Sequence, residues 1–143
     1  MTNKKSIALL RKRGLKVTRQ RTLLLNAILE SDPVFSTTAL EEKVSGHMDV
    51  VTIYRILAIF LQHSIVRKVV SNDVTRFYEL THERNPNHPH FVCTKCKRIT
   101  CLKSMRRQDN LRLQKYALEN EVQDISIQFT GICADCKNSK TTT

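Results

Sequence analysis

The chain has 143 residues, of which 41% are hydrophobic and 26% charged, and its formal net charge is +11. Such a length and balance describe one ordinary globular domain or two small ones and exclude a disordered chain. No apolar run approaches the roughly 20 residues that cross a bilayer, which excludes a membrane-embedded helix.

The N-terminus, MTNKKSIALLRKRG, has too short an apolar core for a signal peptide and no small-residue cleavage site. The expected compartment is therefore the cytoplasm. In that reducing setting the five cysteines point to metal ligation or redox chemistry rather than structural disulfides.

Residues 1–21 hold eight Lys or Arg and no Asp or Glu. This asymmetry points to a polyanionic partner, most often nucleic acid, with a solubilising basic tail as the alternative. The eight are Lys4, Lys5, Arg11, Lys12, Arg13, Lys16, Arg19 and Arg21. Residues 5–13 can form a short helix closed by Gly14. Thr18 can cap a second helix, RQRTLLLNAILES, whose Leu24, Leu25, Ile28 and Leu29 form an apolar stripe before Asp32-Pro33 breaks it.

Ser36 opens a third helix, STTALEEKVSG, ended by Gly46. Asp49 caps a fourth, VVTIYRILAIFLQH, with Ile53, Ile56, Leu57 and Phe60 at helical spacing. The period then changes. IVRKVV and TRFYEL are short β-prone runs separated by SNDV, which reads as a hairpin.

Helix, helix, turn, helix and hairpin is the order of a winged helix-turn-helix, in which the helix before the wing enters the major groove. Residues 49–62 are then the recognition helix, offering Thr52, Tyr54 and Arg55. Arginine can make paired hydrogen bonds to guanine, and a tyrosine ring can pack on a thymine methyl. The competing reading puts Tyr54 in the core and leaves Arg55 a solvated charge.

HERNPNHP, residues 82–89, reads as a linker between a winged-helix domain over 1–81 and a second domain over 82–143. Two short β runs (His90–Cys93 and Ile99–Leu102) follow, then a helix over about 105–119. In VQDISIQF, Ile125, Ile127 and Phe129 alternate with Ser126 and Gln128 as in a half-buried strand. The polar tail KNSKTTT is expected to fray. A module of about 60 residues buries little core, so a staple or a partner subunit is expected.

Cys93-x-x-Cys96 recurs as Cys133-x-x-Cys136, and two such pairs complete a closed tetrahedral four-cysteine zinc site. The 36 residues between the pairs would hold the predicted strand and helix, so zinc would pin the end of the module to its beginning. A dithiol redox centre is the rival. Neither Cys93 nor Cys133 is expected to precede a helix N-terminus that would lower its pKa, which disfavours that rival.

His88 and His90, at i and i+2, project from one face of an extended segment stiffened by Pro89 and form half of a transition-metal site. If the two β runs pair, Cys101 lies near His90 and is a third ligand, with Glu79 or His82 as the fourth. Such a site would join the two halves, and metal there could switch DNA affinity. The plainer alternatives are histidines that hydrogen-bond in a loop and a Cys101 that is a small buried hydrophobe. Catalytic zinc needs an open position and a nearby general base, and the motif has no spare His or Glu, so neither an enzyme nor a small-molecule substrate is expected.

GLKVTRQRTLLLNAIL, VVTIYRILAIF, RFYEL, HPHFVCTKCKRI and GICADC together resemble the ferric uptake regulator family of bacterial metalloregulators, across nearly the whole chain. The resemblance implies an α+β protein: an N-terminal winged helix-turn-helix followed by a small α/β dimerisation domain. It implies a homodimer that binds a palindromic operator in double-stranded DNA when metal is loaded.

Lys16 matches the family's minor-groove lysine, and Tyr54 and Arg55 its major-groove pair. Cys93, Cys96, Cys133 and Cys136 match a structural zinc site, and Glu79, His88 and His90 match sensing-site ligands. Val34 stands where members commonly place a sensing histidine. Cys101 stands where iron- and peroxide-sensing relatives often have a carboxylate. Asn87, Pro89, Gln108 and Ile125 replace the ligands of a further metal site, which is expected to be absent. Thiolate in place of carboxylate moves the preference toward Zn²⁺ and away from Fe²⁺ or Mn²⁺. The expectation is a zinc-responsive repressor, with an iron-, manganese- or peroxide-responsive regulator as the alternative within the family and a thiol redox sensor as the alternative outside it.

Overall fold

A computed structural model describes residues 2–69, 76–81 and 88–139. The chain divides into two compact units, Met1–Arg84 and Asn85–Thr143, three residues beyond the expected 81/82 division.

In the first unit α1 (Thr2–Lys12) begins earlier than the expected residue 5. Gly14, at φ +71°, lets the chain reverse. The Leu15 N–H then reaches the Leu10 carbonyl at 2.9 Å and the Gly14 N–H reaches Arg11 at 3.0 Å. This pair of bonds is a Schellman motif, and it drives Leu10 and Leu15 into the core. Thr18 caps α2 (Arg19–Leu29) by accepting the Arg21 N–H at 3.2 Å. Leu24, Leu25 and Ile28 of the predicted stripe are buried.

A three-residue strand, β1 (Val34–Ser36), follows Pro33. It is too short to show alternation in the sequence and was not expected. Ser36 caps α3 (Thr37–Lys43), accepting from the Ala39 N–H at 3.1 Å. This helix stops three residues short of Gly46, which bends the connection onward with φ +81°.

Asp49 caps α4 (Val50–Gln62) by accepting the Thr52 N–H at 2.8 Å. The helix leaves through a second Schellman turn in which Ser64 takes the glycine position at φ +56°, with the Ile65 N–H bonded to the Phe60 carbonyl at 2.8 Å. β2 (Val66–Val69) and β3 (Phe77–Leu80) pair antiparallel, and β1 adds to the other side of β3, giving the order β1-β3-β2. The turn expected at SNDV lies outside the described residues. Leu40, Ile53, Leu57, Phe60, Ile65 and Tyr78 join the α2 stripe in one core. Helices α2, α3 and α4 on a small sheet, with the β2–β3 pair following the last of them, are a winged helix-turn-helix preceded by α1.

The second unit is built on β4 (His90–Cys93), which pairs antiparallel with β5 (Ile99–Cys101) and parallel with β6 (Gln128–Gly131), in the order β5-β4-β6. The strand expected throughout VQDISIQF forms only from Gln128, the residue opposite His90. Upstream of His90 stands Pro89, which has no N–H, so the ladder has nothing to extend along. The helix expected over about 105–119 is α5 (Arg107–Gln114) plus a 3-10 turn (Lys115–Ala117), stopped by Leu118 at φ +58°. None of its residues is buried, so it lacks the apolar face that packing would extend. A last short helix, α6 (Ala134–Asn138), forms where only a turn and a polar tail were expected.

Candidate functional site

Parallel pairing of β4 with β6 sets Cys93 opposite Gly131, and the Thr94 N–H bonds the Gly131 carbonyl at 2.7 Å. The two Cys-x-x-Cys turns thereby meet. The sulfur atoms of Cys93, Cys96, Cys133 and Cys136 lie within 4.8 Å of one another, with Cys96 and Cys133 at 3.8 Å. Two thiolates on a tetrahedral zinc ion, each with a Zn–S bond of about 2.3 Å, stand about 3.8 Å apart. The donor set therefore fits zinc.

Backbone amides prepare the sulfurs. Cys93 Sγ accepts the N–H of Cys133 at 3.4 Å and of Cys96 at 3.5 Å, and Cys133 Sγ accepts that of Cys136 at 3.5 Å. Those amides, Cys133 first, lower the Cys93 pKa to about 6. Cys136 is pushed up to about 12, first by its sulfur neighbour Cys133 and then by burial. A cation among four crowded sulfurs relieves that penalty.

One expectation is corrected. Cys133 does precede a helix: it is the N-cap of α6, accepting from Cys136 N–H. The second motif itself winds into this helix from Ala134 onward, so the absence of a helix does not count against redox chemistry. Four converging sulfurs remain the stronger observation, since a dithiol centre uses two.

His90 and Cys101 are direct partners across the β4–β5 ladder, and the Leu102 N–H closes on the Pro89 carbonyl at 2.9 Å. The imidazoles of His88 and His90 stand 4.6 Å apart between centroids. One ligand atom from each of His88, His90 and Cys101 falls within 4.8 Å of the others. Both histidines are buried and Cys101 is exposed. Two imidazoles and a thiol are a borderline-soft donor set that suits Zn²⁺.

Glu79 belongs to the first unit. It sits on the central strand β3, 2% exposed, opposite Val34 on β1 and Arg67 on β2. Its Oε1 accepts a hydrogen bond from Arg67 Nε. Val34 brings no ligand atom to this face. His82 lies outside the described residues.

On α4, Ile53, Ile56, Leu57 and Phe60 face the core, while Arg55 is exposed, Thr52 half-buried and Tyr54 39% exposed. The reading of Tyr54 as a core residue is therefore set aside. Val50 and Val51, in the first turn, are also exposed. Bonding to Thr52 and the Arg55 charge together hold the Asp49 carboxyl below its ordinary value, the Thr52 bonds counting most. Lys16 and Arg19 are exposed where α1 passes into α2, and Arg21 donates to the Lys16 carbonyl at 2.8 Å.

The sequence reading missed Arg76. Its guanidinium lies 6.0 Å from the centre of the Tyr54 ring, within cation–π range. The signal was the arginine of TRFYEL, immediately before β3.

Among the described residues no helix is long and apolar enough to cross a membrane. A winged helix joined to a small α/β unit with converging cysteines and histidines defines a metal-binding, DNA-binding regulator. The chain belongs to the ferric uptake regulator family, whose profile matches residues 12–130. It is a transcriptional regulator with DNA-binding and metal-binding features.

It is similar to the ferric uptake regulation protein of Campylobacter jejuni, with 27% identity over 139 residues covering 92% of this chain and 86% of that protein. It is also similar to the peroxide-responsive repressor PerR of Staphylococcus epidermidis, with 28% identity covering 92% of this chain and 88% of that one. The solved ferric uptake regulator from Francisella tularensis with iron superposes with a TM-score of 0.69 at 26% identity, covering 87% of this chain and 96% of that one.

Proposed function

We propose that the protein is a cytoplasmic, zinc-responsive repressor that binds a palindromic DNA operator as a homodimer and has no enzymatic activity. The observation that carries the zinc assignment is the convergence of His88, His90 and Cys101. A thiolate in the donor set favours Zn²⁺ over the harder Fe²⁺ and Mn²⁺. Glu79 is the proposed carboxylate ligand, with His82 as the alternative. Zinc bound there would act by cross-linking donors from distant parts of the chain.

Cys93, Cys96, Cys133 and Cys136 are the proposed structural zinc ligands and fasten the β4–β5 turn to the chain end. Lys16 and Arg19 are proposed to hold DNA phosphates or the minor groove. Thr52, Tyr54 and Arg55 are proposed to read the major groove from α4. Homodimerisation is supported by the open β6 edge, where Phe129 is 53% exposed, and by the exposed Tyr116 and Leu118.

An iron- or peroxide-responsive regulator is the second reading, favoured by the names of the two relatives. Operator binding after chelation and metal add-back separates these readings. Zn²⁺ should restore binding at a lower free concentration than Fe²⁺ or Mn²⁺, and a reversed order would move the assignment to those metals. Equal binding by metal-free and metal-loaded protein would remove the switch itself.

A further inference from the structure

The second unit carries ten Lys or Arg against five Asp or Glu, a net of +5 on 59 residues. The DNA-binding unit carries fourteen against eight, a net of +6 on 84. The supposed non-DNA half is thus the more basic per residue. Its charge is concentrated: residues 95–115 hold eight Lys or Arg and one acid, Asp109.

All eight cations are exposed. Arg98 pairs with Asp135 and Arg106 with Asp109. Among the described residues, Lys95, Lys97, Lys103, Arg107, Arg112 and Lys115 have no carboxylate partner. Arg107 and Arg112 lie on α5, which buries none of its residues within this unit. Uncompensated like charge on a small unit is self-repulsive, and a polyanion relieves it.

We propose that this face, from Lys103 through α5 to Lys115, is a second contact surface for the phosphate backbone of duplex DNA. The proposal rests on the reading of the chain as an operator-binding regulator. At a rise of 1.5 Å per residue, Arg107 and Lys115 are about 12 Å apart along the helix, a distance over which B-DNA presents about seven phosphate charges. Arg107, Arg112 and Lys115 fall within one half of the helix circumference, so they can face one duplex together. Phosphate contacts carry no base information, so this surface adds affinity and salt sensitivity without adding specificity.

The test uses the full-length zinc-loaded protein. An operator selected in vitro against the protein and a scrambled duplex serve as probes. Lys103→Gln, Arg107→Gln, Arg112→Gln and Lys115→Gln are combined in one variant, and Lys103→Gln with Arg112→Gln in a milder one. Zinc content and oligomeric state are checked first.

The expected result is a graded loss. The slope of log K against log salt becomes shallower by about 0.9 for each contact removed, and both duplexes weaken by the same factor, about tenfold or more. An unchanged slope in these variants, with a reduced slope in Lys16→Gln, overturns the second surface and leaves operator binding standing. Failure of the selection to recover any duplex that the zinc-loaded protein binds brings down the DNA-binding reading beneath it. Retained operator binding with lost binding to single-stranded RNA or to anionic vesicles assigns the face to that partner and overturns the proposal.

Discussion

Arg67 on β2 and Glu79 on β3 stand opposite each other in antiparallel register, and the guanidinium Nε donates to the carboxylate. Glu79 is 2% exposed and Arg67 22%. The residue assigned by resemblance as a metal ligand is therefore already neutralised by an arginine from its own unit. A buried carboxylate needs such a partner, because isolated burial of its charge is costly.

Arg67→Met takes the arginine away from that carboxylate and should cost about 3 kcal/mol of stability, the scale for breaking a buried pair from one side. Glu79→Gln keeps an acceptor for Arg67 and should cost clearly less. Urea denaturation of the two variants checks the order, and equal losses would mean that the pair contributes through packing alone.

Cys93→Ser removes a proposed zinc ligand and two amide-to-sulfur bonds together. Its zinc content should fall by one equivalent per chain, and thermal unfolding of the second unit should move sharply downward. Cys101→Ser should retain that zinc and the melting temperature while shifting the metal concentration needed for operator binding. Zinc analysis alongside calorimetry distinguishes the two, and matching behaviour would merge the two proposed sites into one.

Arg55→Ala should relax operator choice at a single base position by roughly 1–3 kcal/mol. Arg76→Ala should act differently, because Arg76 touches the Tyr54 ring. It should weaken discrimination at the position Tyr54 is proposed to read, and Arg76→Lys should restore part of it by retaining the cation. Binding to a set of single-base operator variants measures both effects.

The two helix exits give opposite expectations for glycine. Gly14→Ala forces a side chain into φ +71° and should cost about 1 kcal/mol. Ser64→Gly relieves the same strain at φ +56° and should stabilise by up to about 1 kcal/mol, reduced by the added freedom of the unfolded chain. The urea midpoints of both variants check this.

Asp49 supplies the pH prediction. Its folded pKa lies below the ordinary 3.8, so its contribution is fully present above the unfolded value and is lost as pH falls through the folded one. The difference in melting temperature between the wild type and Asp49→Ala should hold from neutral pH down to about 5 and narrow below about 4. A gap that stays constant down to pH 2 would mean that the uncharged cap supplies all of it.

Elements with strong local signals were legible in the sequence: the caps at Thr18, Ser36 and Asp49, Gly14, the apolar spacing of α4 and the doubled Cys-x-x-Cys. What stayed hidden depends on distant partners. β1 is a strand only because β3 lies beside it, and β6 starts where β4 offers a ladder. Arg76 meets Tyr54 only after the wing folds back. The Arg67–Glu79 pair likewise needs the register of two strands, which charge spacing alone does not set. α6 was missed for a local reason, since a cysteine was not considered as a helix cap.

β4 has one property that reaches beyond either metal site. His90 begins it and Cys93 ends it, so a strand of about 10 Å carries a donor of each proposed site. The strand acts as a ruler: whatever fixes the cysteine end fixes the height of the imidazole at the other. On the proposed assignment, loss of the ion at the cysteine end would disturb His90 before any ligand of the second proposed site had lost its metal, and zinc starvation would be registered twice along one strand.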